Sequence, residues 1–133
     1  MFRNFSSFFS LIAYRAFPCW DEPAIKATFG VTIIIPAHLT AISNMPEIQT
    51  LHLAGGKKKV TFEVSPKMST YLLAWAVGEF DMVQAVTKNN VAIRVFSPPG
   101  RAEQGKFALD CGVRALDFYD DFFQVCNAAT PGA

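Results

Sequence analysis

Apolar and polar residues alternate along the first part of this chain, and the period then changes. In residues 28–36 (TFGVTIIIP), Phe29, Val31, Ile33 and Ile35 fall on one face and Thr28, Gly30 and Thr32 on the other. Period-two alternation predicts a strand with one buried face, stopped by Pro36. Residues 39–43 predict a short strand ended by the turn residues of SNMP. Residues 49–53 and 60–64 flank AGGKKK, where Gly55-Gly56 signals a hairpin. Lys57, Lys58 and Lys59 then fall just past its tip, as a solvated end or a charge-protected edge. Residues 71–77 are nearly all apolar, which predicts a strand covered on both faces. Gly78 allows a bend, and residues 80–86 continue the sheet. Lys88-Asn89-Asn90 reads as a turn, and residues 91–96 as a last strand closed by Ser97-Pro98-Pro99-Gly100.

Across residues 102–123 the period lengthens. Phe107, Cys111, Ala115, Phe118 and Phe122 recur at steps of three and four, with Lys106, Asp110, Arg114, Asp117 and Asp121 mostly between them. This predicts an amphipathic helix of about five turns. Asp117, Asp120 and Asp121 oppose the helix dipole at its C-terminal end. A helix with that defect and a phenylalanine stripe needs something to pack on. The expected fold is therefore mainly β, a partial β-sandwich of about seven short strands followed by one C-terminal amphipathic α-helix.

The 133 residues suit a single domain, and 51% hydrophobic content excludes a disordered chain. A net charge of +1 supplies no global field to recruit nucleic acid or an anionic membrane, so neither is an expected partner. Residues 71–77 are far shorter than the ~20 that a membrane helix needs. The opening MFRNFSSFFSLIAY superficially resembles a signal peptide, but Asn4, Ser6, Ser7 and Ser10 interrupt its apolar run and no clean cleavage site follows. Its arginine and serines without acid carry a faint transit-peptide signature.

Candidate chemistry is sparse. Cys19, Cys111 and Cys126 form no CxxC pair, and His38 and His52 are too far apart for an i, i+4 metal pair. HExxH, GxGxxG and a P-loop are all absent from the sequence. Cys19 has Asp21 and Glu22 as near neighbours, and carboxylates raise a thiol pKa rather than activate it. In RAFPCWDEPAIKATF (15–29), Pro18 and Pro23 bracket the acidic pair and stiffen a loop that aims a strand. Trp20 is expected to be its buried anchor, so that Trp20→Ala would cost about 3–5 kcal/mol. No residue is assigned as catalytic, cofactor-binding or metal-binding. Three cysteines without paired spacing fit reduced thiols and a cytoplasmic location.

Four segments in order (RAFPCWDEPAIKATF, LTAISNMPE, SPKMSTYLLAWAVGEFD and GRAEQGKFALDCGVRALDFYDDFF) resemble the zinc aminopeptidases of the puromycin-sensitive, aminopeptidase N-like family. The resemblance covers about residues 13–124. It implies a divergent segment at 1–13, part of the family's N-terminal β-saddle domain at 14–98, the first helix of its thermolysin-like catalytic domain at 99–124, and a divergent tail at 125–133. It also implies an activity, zinc-assisted removal of N-terminal amino acids from peptides, with a glutamate as general base. The family's Gly-Ala-Met-Glu-Asn box, zinc helix, third zinc ligand and transition-state tyrosine have no counterpart among these positions. Its residue that holds the substrate's amino group would fall near Ser7, whose hydroxyl cannot replace a carboxamide or carboxylate. The expectation is a fragment without zinc, inactive alone, with peptides as substrates only within a full-length enzyme. The alternative is a non-enzymatic module that docks on a full-length aminopeptidase, or on itself, through the helix face.

Overall fold

A computed structural model describes residues 17–20 and 22–124, together with the backbone of a strand at Phe5–Ser6. The chain divides into two compact units, residues 1–79 and 80–133.

In the first unit, β1 (Phe5–Ser6), β2 (Lys26–Ala27), β3 (Thr32–Pro36), β4 (Thr40–Ser43), β5 (Glu47–Leu53), β6 (Lys57–Phe62), β7 (Met68–Ser69) and β8 (Trp75–Gly78) build three small antiparallel sheets. Their orders are β1-β8-β4, β2-β7 and β3-β6-β5. The alternation of residues 29–35 holds: Ile35 is buried and Val31 and Ile33 pack beside it, while Thr32 and Ile34 are exposed. Val60, paired with Ile33 and Thr50, is the most deeply buried large side chain, and Phe62 and Ala41 complete the cluster. Gly55 and Gly56 close the β5–β6 hairpin at φ 74° and 67°, a conformation that side chains resist. The three lysines lie within β6 rather than beyond the tip, opposite Pro36, Ile35 and Ile34 of β3. β6 is the central strand of its sheet, so the lysines protect no edge; Lys57 is exposed and Lys58 and Lys59 are half-buried.

Two expectations fail in this unit. Residues 71–77 do not form one strand. Thr70–Leu72 make a single 3-10 turn with Tyr71 and Leu72 exposed, and β8 begins only at Trp75. Asn44 causes the break. Its amide donates to the Leu72 carbonyl at 2.9 Å and accepts from the Ala74 N–H at 2.7 Å, replacing a strand partner with a side chain. Trp20 is not an anchor: it is 74% exposed. The loop is tied by its backbone instead. Ile25 N–H donates to the Glu22 carbonyl at 2.9 Å, and the buried Ser69 hydroxyl donates to the Pro23 carbonyl at 2.6 Å. Phe17 supplies the aromatic contact, with its ring 6.4 Å from that of Trp75.

The second unit contains β9 (Asp81–Val86), β10 (Ala92–Ser97) and α1 (Ala102–Phe123). The strands pair antiparallel with Val83 opposite Val95 and Ala85 opposite Ile93. Asn90, at φ 60°, turns the hairpin, and Thr87 holds it by backbone and side-chain bonds to Val91. Gly100, at φ 78°, donates its N–H to the Asp81 carboxylate at 2.7 Å and leads into α1. The helix has the expected span, but the stripe that singled it out faces away from the hairpin. Phe107, Cys111, Ala115, Phe118 and Phe122 are exposed. The packed face carries Gly105, Leu109, Gly112, Val113 and Leu116, two glycines among aliphatic residues at the same three- and four-residue steps. Gly105 is buried so closely that a Cβ there would stand 3.2 Å from Val83 Cγ2 and 3.3 Å from Val95 Cγ1.

Gly105→Leu is predicted to lower stability by about 1–3 kcal/mol through overpacking, read by chemical denaturation. Gly112→Ala should instead raise it by up to about 1 kcal/mol, because its Cβ would meet Ile93 at an ordinary 3.7 Å and helix propensity improves. Trp20→Ala should change stability by no more than about 0.5 kcal/mol, as surface substitutions do; a loss of several kcal/mol in the same melts would reinstate the anchor.

Candidate functional site

The polar constellation with the most connections joins the end of α1 to the β9–β10 turn. Asp117 accepts the Lys88 backbone N–H at 3.1 Å. Asp121 pairs with the Lys88 ammonium. Asp120, 8% exposed, accepts a hydrogen bond from the Asn89 amide at 2.8 Å. Three carboxylates at the negative end of a helix dipole are unfavourable in isolation. Here donors from a neighbouring turn satisfy them, and the side chains clamp the hairpin to the helix. The Asp121 hydrogen bond is the main cause that raises the Lys88 pKa above its ordinary value of 10.5, with the charges of Asp121, Asp117 and Asp120 adding to it.

This arrangement is a structural clamp. Its carboxylates are engaged by the chain's own donors, so the geometry does not present a general acid facing a general base. Among the described residues, no group of three or more His, Cys, Asp or Glu side chains is placed to hold a metal ion. The residues weighed in the sequence do not converge. Cys19 is half-buried in the 17–25 loop, Cys111 is exposed on α1, His38 lies in the β3–β4 turn and His52 on β5, both exposed. Glu22 is exposed, and Asp21, Cys126 and Ser7 lie outside the described residues. No helix among the described residues is long and apolar enough to cross a membrane.

The other conspicuous surface is the outer face of α1. Phe107 is 78% exposed, and Phe118, Tyr119, Phe122 and Phe123 are all more than half exposed. At the C-terminal end the rings contact one another: Phe118 and Phe122 stack at 5.7 Å between centroids, and Phe122 meets Phe123 edge-on at 4.9 Å. Sequence reasoning found the stripe, the three aspartates and the Lys88-Asn89-Asn90 turn separately. The signal that links them is complementarity, a cation and an amide in one turn against three acids in one helical turn.

The raised Lys88 pKa fixes a pH dependence. A lysine whose folded pKa lies above its unfolded value adds stability in full below the unfolded value, and that stability disappears as pH rises through the folded one. Lys88→Met should therefore lower the melting temperature at neutral pH, and the difference from the parent should vanish at strongly alkaline pH above the lysine range. A difference that persists there would assign the effect to packing of the lysine stem.

Residues 4–72 match the Peptidase M1 N-terminal domain. The chain is 50% identical over 121 residues to puromycin-sensitive aminopeptidase of Caenorhabditis elegans, covering 90% of this chain and 13% of that protein. It is 49% identical over 113 residues to aminopeptidase M1 of Arabidopsis thaliana, covering 85% of this chain and 13% of that protein. It is 44% identical over 114 residues to endoplasmic reticulum aminopeptidase 1 of Homo sapiens, covering 85% of this chain and 12% of that protein. The chain thus spans 12–13% of the length of these relatives. With short antiparallel strands followed by one helix, as the resemblance implies, and with identity of this degree along most of its length, the chain belongs to the family of the peptidase M1 N-terminal domain.

Proposed function

We propose that these 133 residues form part of a zinc metalloaminopeptidase that removes N-terminal amino acids from peptides, and that their part is architectural. The observation that carries this reading is 44–50% identity to proteins named aminopeptidases over 85–90% of the chain. In the whole enzyme, zinc would polarise the scissile carbonyl and activate a water. The donor set here does not fit that metal. The sequence has no HExxH, and the carboxylates gathered at the end of α1 are engaged by Lys88 and Asn89. Substrate peptides accordingly belong to the whole enzyme and not to this segment, which takes no cofactor of its own. The odd cysteine count and the likeness to the puromycin-sensitive branch favour the cytoplasm.

The outer side of α1 favours a second reading: a non-enzymatic module that binds a full-length aminopeptidase or another copy of itself. Five exposed aromatic side chains on one helix exceed what a solvated surface ordinarily carries.

The purified 133-residue chain should release no arylamine from aminoacyl-arylamide substrates, with or without added zinc. Chelator-sensitive turnover by a clean sample would overturn the architectural reading.

A further inference from the structure

We draw no further inference here: the strongest candidate, the aromatic outer face of α1 at Phe107, Phe118 and Phe122, is an unpartnered apolar surface on a chain that spans 12–13% of the length of its relatives, and nothing in the structure shows what covers it.

Discussion

The approach of α1 to the β9–β10 hairpin is set by Gly105. A helix on a two-stranded sheet can bury one face. The glycine lets this one come close to Val83 and Val95, where even a Cβ would require the valine side chains to give by a few tenths of an ångström. The rest of the unit follows from that contact. With Gly105, Leu109, Gly112 and Leu116 turned inward, Asp117 and Asp120 come round to the turn at Lys88 and Asn89. Phe107, Phe118 and Phe122, about half a revolution away, are left outside. One close contact thus fixes the packed face, the polar clamp and the apolar surface together.

The first unit is organised by a different device. Its sheets are small, and several backbone groups that a larger sheet would pair are satisfied by side chains. Ser65, buried, accepts the Phe29 N–H at 3.0 Å and donates to the Pro66 carbonyl at 2.9 Å. Asn44 and Ser69 do the same for the 72–74 segment and the 17–25 loop. Ser65 and Ser69 are buried and need every bond they can make, because an unmade one costs its full desolvation, whereas Asn44 makes its bonds at the surface. They join the irregular connections to an apolar cluster built on Ile35, Val60 and Phe62.

The sequence was most legible where one periodicity ruled. The span of α1 and the inward face of residues 29–35 follow directly from spacing. Legibility failed where two patterns shared one element. In α1, a face of glycines and aliphatics and a face of phenylalanines have the same period. Hydrophobicity points to the aromatic rings, while packing used Leu109, Val113 and Leu116 around the two glycines that let the helix come close. Residues 71–77 are apolar enough for a buried strand, yet the determinant lies in Asn44, far away in sequence, whose side chain ends the pattern at Leu72. Trp20 has the bulk of an anchor, but the hydroxyl that holds its loop belongs to Ser69. In the candidate site, the acids and the turn were each visible. Their meeting depends on the face chosen by Gly105, which a one-dimensional pattern does not encode.

The clamp between turn and helix end also bears on the order in which the chain assembles. Lys88 bonds to carboxylates 29 and 33 positions away, across a hairpin and a helix that are contiguous in sequence. In the other unit, Phe5 must find Ala76 before β1 can pair with β8. Closing short loops loses less chain entropy and happens sooner. The hairpin-and-helix unit is therefore expected to acquire protection first, an order that pulsed hydrogen exchange reads directly and that early protection of Ala76 would reverse. On a ribosome, where the N-terminal unit emerges earlier, order of synthesis and order of folding would then run in opposite directions.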